Sequence, residues 1–350
     1  MTSHAKQKTV SDLVWIGLGL MLVIILVATF VWAKKRSTHA INSLIYHRTT
    51  LSDTELLDNA ARAVSRKLEK DPRSQAYLAK HPVFISMTTS PGRINKVAPI
   101  LEALDLSLVE AVLINIPQVF ARTGERYQIP EELASNPKVR IQEADQDYGP
   151  ATKLLPGVIT ARAQDSKAIV ISLDDDHAYP KSIIAEHIYA IAHGAKVSNI
   201  IDARAGDLAS GFFALPKNAP NLHAAWPSQD YTLIHGWSSV AYVAEEVPVT
   251  KIKKWLQQEQ AQGGESNCLF SDDFVVTYAL ASEQVPITTL QTEYAQCTDI
   301  LPLSYGLSDD ALHRQGLADG RDWQLHRMND FTKYRLEKCF AFLLEKNSGH

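Results

Sequence analysis

The chain has 350 residues, with 35 Lys and Arg against 39 Asp and Glu, and 45% of it is hydrophobic. That is enough chain for one large domain or two ordinary ones, and the apolar content excludes a disordered or low-complexity protein. Charge is unevenly placed: residues 1–36 hold five basic residues and one acid, leaving 30 basic and 38 acidic residues in 37–350, the opposite of a nucleic-acid binder's balance.

After a tail at 1–12, residues 13–33 form a run of 21 uncharged residues in which only Thr29 is neither apolar nor glycine. As a helix this run is about 30 Å long and spans a bilayer, with Trp15 and Trp32 placed for its two interfaces. A cleaved signal peptide ending at Val31-Trp32-Ala33 is the alternative. The length of the run and the Lys34-Lys35-Arg36 that follows it favour an uncleaved, single-pass anchor. Two basic residues precede the span and three follow it, so the C-terminal part is expected on the cytosolic face of a bacterial inner membrane by a narrow margin. A lumenal, Golgi-type placement fits the same sequence.

Residues 34–80 read as a stem. Ser52-Asp53-Thr54-Glu55 has capping-box spacing, and Leu56, Leu57, Ala60, Ala61, Val64 and Leu68 follow at helical intervals up to Asp71-Pro72. This helix is expected to pack on the domain as a spacer. From residue 81 apolar strands alternate with helices. Val83-Phe84-Ile85-Ser86-Met87 is a buried strand broken by Ser90-Pro91-Gly92, and an amphipathic stretch runs from Ile94 to Leu104. Ala111 to Ile116 and Val139-Arg140-Ile141 are further strands. Ala168 to Leu173 is the clearest, and it ends directly in Asp174-Asp175-Asp176. Pro180 then opens a helix striped by Ile183, Ile184, Ile188 and Ile191, with Gly194 as its stop. This alternation predicts an α/β fold with a mostly parallel, Rossmann-like sheet flanked by helices.

The carboxylates carry the chemistry. Ligand crevices of open α/β sheets lie at the carboxyl ends of strands, where Asp174-Asp175-Asp176-His177 falls. Adjacent carboxylates repel unless a cation takes up their charge. Alternate residues of an extended segment share a face, so Asp174 and Asp176 are expected to hold Mn²⁺ or Mg²⁺, which would bridge a substrate diphosphate. His177 is a candidate for the shell around that ion. Asp272-Asp273 precedes the helix-like Phe274 to Leu280, so one of the pair caps a helix while the other is free for proton transfer. His187 shares the Ile stripe and is expected to be a packed histidine. Thr250 to Gln262 is read as a solvated surface helix in preference to a membrane-surface one. Cys268, Cys297 and Cys339 have no CxxC spacing and cannot all pair, so neither a zinc site nor a disulfide framework is expected.

An apolar strand followed by Asp-Asp-Asp, an aromatic residue and Pro resembles the D-x-D motif of family-2-like glycosyltransferases with the GT-A fold. Four further segments resemble that family in order. Ile85 to Arg93 resembles the first strand and turn, which would make Thr88, Ser90 and Arg93 donor contacts. Asp147-Tyr148-Gly149-Pro150-Ala151-Thr152-Lys153 resembles a segment before the D-x-D strand and adds Lys153 at the diphosphate. Gly236-Trp237-Ser238-Ser239-Val240-Ala241-Tyr242 resembles the acceptor-side loop, with Gly236 and Trp237 at the acceptor. Ser271-Asp272-Asp273-Phe274 resembles the acidic pair that carries the base, with Asp273 preferred. A structural ion pair is the competing role for Arg93 and Lys153, and core packing for Trp237. Asp174 lies 89 positions after Ile85, and Asp273 lies 99 after Asp174.

The resemblance covers 81–300, implied as a GT-A catalytic domain, and leaves 301–350 as a helical extension with a closing helix expected over Trp323 to Phe342. It implies a membrane-anchored, metal-dependent, inverting glycosyltransferase using a nucleotide-sugar donor and a glycan or glycolipid acceptor. His313 or His326 would be a distal metal ligand. A metal-dependent phosphoesterase or nucleotidyltransferase, and an inactive tethered glycan- or nucleotide-binding module, are the alternatives.

Overall fold

The four predicted strands and three further ones pair into one sheet. The computed structural model describes residues 63–200, 232–261, 268–269, 272–290, 301–302, 338–339 and 341–346. The chain divides into units 1–56 and 57–350, and every described residue belongs to the second. The expected anchor at 13–33, the capping box at 52–55, His313, His326 and residues 323–337 lie outside the described residues. Among the described residues no helix is long and apolar enough to cross a membrane.

The strands are β1 (Val83–Met87), β2 (Ala111–Pro117), β3 (Val139–Ala144), β4 (Ile169–Ser172), β5 (His177–Ala178), β6 (Val197–Asn199), β7 (Val240–Val243), β8 (Ile287–Thr289) and β9 (Leu301–Pro302). The main sheet has the order β3-β2-β1-β4-β7-β6-β8. Its first four strands are all parallel, β6 and β8 run the same way, and β7 alone runs against its neighbours. The architecture is therefore mixed α/β with a mostly parallel, Rossmann-like sheet, as the alternation predicts.

Both faces of the sheet are covered, which is why β1, β2 and β4 are buried along their whole length. Phe84, Leu113, Val170 and Tyr242 point to one side, beneath α4 (Leu155–Gln164), α6 (Val249–Ala261) and α7 (Asp272–Ser282). Ile85, Ile114, Ile171 and Ala241 point to the other, beneath α2 (Val97–Glu102), α3 (Glu131–Ala134) and α5 (Ile183–Ala192). The end of the expected stem joins this second layer. Residues 63–70 are helical and bury Val64 and Leu68 in it. Asp71 ends that segment and caps α1 (Pro72–Leu78), its carboxylate accepting from Ser74 N at 2.8 Å.

Two sequence expectations need adjustment. Pro180 does not open α5: Ile183 N donates to Pro180 O at 3.0 Å and closes a turn first, so the helix starts at Ile183. The stop at Gly194 holds, at φ +104°. The absence of a disulfide is overturned, because Cys268 and Cys339 are bridged, with Cα atoms 4.8 Å apart. Packing explains the pairing: Cys268, Cys339, Phe342 and Leu343 are all buried in the layer around α6 and α7. The last part of the chain is thus fastened to the core at that bridge and again at β9, which pairs antiparallel with β5.

The bridge closes a loop over a sequence separation of 71. Chain entropy for a loop of that length is worth roughly 4 kcal/mol. Thermal melts with and without a reductant are expected to differ by about 10 °C, and Cys339→Ser should reproduce the reduced curve.

Helix α6 spends its apolar residues Ile252, Trp255 and Leu256 on the core, and its lysines pair with Asp145 and Glu283. This is the solvated surface helix expected. His187 is fully buried between the Ser198 and Ser239 hydroxyls, 3.0 Å from each, and burial pushes its pKa down to about 3. It is the packed, neutral histidine expected. Its partner Ser239 has φ 80°, a strained value for a residue with a Cβ, and the His187 bond helps hold it there.

Candidate active site

Because β7 runs against β4, its N-terminal end lies at the same edge as the carboxyl ends of β1, β2 and β4. That edge collects the turn after β1 (residues 88–93), the turn after β4 (Asp174–His177), the 3-10 turn Gly149–Lys153, the 3-10 turn Gly236–Ser238 before β7, and the N-terminus of α7. Residues singled out in five separate stretches of sequence meet there.

Asp174, Asp176 and His177 each offer one ligand atom, all within 4.8 Å of one another. Residues 175–176 form a turn where an extended segment was expected, yet Asp174 and Asp176 still share one site. Asp175 is turned away and buried. It accepts from Thr89 Oγ1 at 2.5 Å and pairs with Arg93 Nη2 at 2.9 Å, and burial, offset by Arg93, raises its pKa to about 6. The other guanidinium nitrogen of Arg93 holds Asp176 Oδ2 at 3.1 Å. Arg93 is buried, and it braces the acidic turn from beneath.

Asp176 is held on its other side by His177, whose Nδ1 donates to Oδ1 at 2.7 Å. Burial pushes the Asp176 carboxyl upward, but the His177 bond and the charges of His177, Arg93 and Lys153 more than offset it. The net shift is downward, so Asp176 stays ionised. Tyr179 ties the turn to the Gly236–Ser238 turn: its hydroxyl accepts from Asp174 N at 2.8 Å and donates to Trp237 O at 3.0 Å. Trp237 is half-buried, 5.4 Å from the His177 ring between centroids, so it is both packed and at the site.

Lys153 sits at the centre. Its Nζ lies 2.8 Å from Asp174 Oδ1 and 3.2 Å from Asp272 Oδ2, joining the D-x-D turn to the N-terminus of α7. Burial alone would lower its pKa, but Asp174, Asp272 and Asp273 together raise it well above the usual value. Lys153 is held in place by a buried polar cluster. Ser86 donates to Lys153 O, and Asn115 Nδ2 donates to Ser86 Oγ at 2.9 Å and to Met87 O at 3.1 Å. Thr88 donates to Asn115 O at 2.7 Å, and Ser90 O accepts from Arg93 N at 3.0 Å, so both line the turn after β1.

Asp273 accepts from Gly236 N through Oδ1 at 2.9 Å. Burial first, and the neighbouring Asp272 second, push its pKa up to about 8, with Lys153 opposing the shift. Asp272 faces Lys153. The two members of the pair therefore differ in environment, which is how one carboxyl takes a proton near neutrality while its neighbour serves as a charge partner. Five carboxylates (Asp174, Asp175, Asp176, Asp272 and Asp273) surround two permanent cations, Lys153 and Arg93. This excess of negative charge, with two carboxylates and an imidazole converging, fits a divalent cation.

Gly236 is required by space. A Cβ there would lie 2.5 Å from Asp273 Oδ1 and 2.7 Å from Lys153 Nζ. Gly236→Ala is expected to displace both groups and lower kcat about 100-fold, while a melt shows the fold retained.

Sequence reasoning missed the coupling residues: Thr89, Tyr179 and the ligand position of His177. Only the last had a signal, its place directly after the D-x-D.

No family model matches the sequence, and no curated protein does either. Among solved structures, the chain is similar to a 4-diphosphocytidyl-2C-methyl-D-erythritol synthase at 10% identity, covering 62% of this chain and 92% of that one, TM-score 0.34. It is similar to a mannosyltransferase from Pyrobaculum calidifontis in complex with GDP-Man and Mn²⁺ at 12% identity, covering 83% and 85%, TM-score 0.33. A third similarity is to the 2-C-methyl-D-erythritol 4-phosphate cytidylyltransferase of Francisella tularensis at 10% identity, covering 70% and 100%, TM-score 0.31. At such scores the likeness carries nothing about chemistry, which has to come from this chain's own side chains.

Proposed function

We propose that the chain is a metal-dependent glycosyltransferase, anchored by residues 13–33, that moves a sugar from a nucleotide-sugar donor to a hydroxyl of a glycan or glycolipid with inversion. The observation that carries this reading is Lys153, one buried ammonium spanning Asp174 of the D-x-D turn and Asp272 of the acidic pair. It sets a diphosphate-holding group and a proton acceptor on one edge of the sheet, as group transfer from a nucleotide to a hydroxyl requires. Asp174 and Asp176 would hold Mn²⁺ or Mg²⁺, which would supply Lewis-acid stabilisation of the departing diphosphate. Lys153 adds a point charge beside it, Thr88, Ser90 and Arg93 shape the donor side, and Gly236 and Trp237 shape the acceptor side. Asp273 removes the proton of the attacking hydroxyl, and its raised proton affinity suits that task near neutral pH.

The phosphoryl-transfer alternative calls for extra His or acidic ligands beside the D-x-D, and His177 is one. Among the described residues, however, there is a single three-ligand group, enough for one ion and not for a two-metal clamp. The Cys268–Cys339 bridge favours an oxidising compartment for the catalytic domain, against the narrow charge margin that points to the cytosol. Protease protection in sealed vesicles distinguishes the two placements.

The central test is a melt of the full chain in detergent against UDP, GDP, CDP and ADP, with and without Mn²⁺, repeated with Asp176→Ala. A metal-dependent rise with one nucleotide, lost in the variant, is expected. A folded protein that responds to none of them would sink the transferase reading.

A further inference from the structure

The Asp-x-Asp reading of this site involves oxygen ligands only, and oxygen-only sites accept Mg²⁺ readily. The turn after β4 holds a different set of donors. Asp175 is outside the converging group and buried between Arg93 and Thr89. The residue that stands with Asp174 and Asp176 is His177, its ligand atom within 4.8 Å of both of theirs. Donors around one ion at about 2.0–2.2 Å lie roughly 3–4.4 Å apart, so adjustments of a few tenths of an ångström bring the three together.

We propose that His177 is the third protein ligand of the cation held by Asp174 and Asp176, and that its imidazole makes the site select a first-row transition ion such as Mn²⁺ over Mg²⁺. This rests on the metal-dependent reading above and deepens it. The ring is already oriented. Its Nδ1 donates to Asp176 Oδ1, its face lies near Trp237 at 5.4 Å and 32°, and Tyr179 is 6.4 Å away. Its backbone belongs to β5, which is paired with β9. Coordination through Nδ1, the nitrogen that faces Asp176, would displace the proton the pair shares and leave Nε2 as the ring's N–H, a tautomer open to metal-binding imidazoles. Nitrogen ligands favour the later divalent ions, while Mg²⁺ prefers oxygen and keeps its water.

The test uses the full chain in detergent without nucleotide and reads the metal directly. Mn²⁺ is titrated by electron paramagnetic resonance, and the bound ion is probed for coupling to a ¹⁴N nucleus. Wild type is expected to bind Mn²⁺ with such a coupling. His177→Gln should lose the coupling and weaken Mn²⁺ binding by at least about tenfold, with Mg²⁺ affinity nearly unchanged. Mn²⁺ bound without nitrogen coupling in wild type overturns the proposal and leaves the metal-dependent reading standing, and that spectrum needs no variant to fold. Mn²⁺ bound equally well by His177→Gln, with the coupling intact, also overturns it. No Mn²⁺ binding by wild type, or binding unaffected by Asp176→Asn, overturns both.

Discussion

Replacing Asp273 with asparagine is expected to abolish transfer and to make the protein more stable. The shape is kept, because Asn Oδ1 still accepts from Gly236 N, the bond seen at 2.9 Å. Activity should fall by about 10²–10⁴, the usual worth of a positioned base. The stability gain follows from the sign of the pKa shift. A carboxyl raised from 3.8 to about 8 by burial, and then by Asp272, holds its proton more tightly in the folded state than in the unfolded one. Where the folded state binds more protons, stability falls as pH rises. The wild type therefore loses stability between about pH 4 and pH 8, and the variant, with no proton to lose at that position, does not. The groups that set this are Asp272 on the same helix, Lys153 and Asp174 across the cleft, and the Gly236 N–H that donates to the carboxylate. Melts in chelator should show almost no difference near pH 4 and a gain of roughly 10 °C for Asp273→Asn at pH 8. A gain independent of pH would mean that Asp273 is not the titrating group.

The strands around this site are legible from local pattern. Val83–Met87, Ala111–Pro117 and Ile169–Ser172 are short apolar runs bounded by breakers, and a doubly covered parallel sheet produces such runs. Asp174 and Asp176 are legible because they directly follow a fully apolar strand, at the edge where open α/β sheets keep their ligands. Asp272-Asp273 is legible as a pair, but which of the two is buried against Gly236 depends on where the 236–238 turn sits, and no local pattern records that. Arg93 is the instructive case. Its place after β1 is readable, while its spacing of over eighty residues from Asp175 and Asp176 hides the pairing. Tyr179 is hidden for the same reason, since it joins two turns that approach only when β7 pairs with β4. The disulfide was the largest loss. Three cysteines leave the pairing open, and only the packing of Phe342 and Leu343 into the sheet layer brings Cys339 to Cys268.

Lys153→Met is expected to have the largest effect on the fold, and divalent cations should partly reverse it. Methionine fills a similar volume but leaves Asp174 and Asp272 facing each other without the ammonium that lies 2.8 Å and 3.2 Å from them. Removing one partner of a buried ion pair costs about 3–5 kcal/mol, which in a domain of this size lowers the melting temperature by about 10 °C. Lys153 occupies part of the electrostatic space a metal would use, so in wild type a cation at Asp174 must compete with it. In the variant that competition is gone, and the exposed excess of carboxylate binds Mn²⁺ more tightly. Since a ligand that binds only the folded state stabilises it by RT ln(1 + [L]/Kd), Mn²⁺ should raise the melting temperature of Lys153→Met by more than it raises that of wild type. Donor KM should rise in the same variant, because the diphosphate loses its point charge. A smaller Mn²⁺ increment in the variant than in wild type would show that Lys153 helps to build the cation site and does not compete for it.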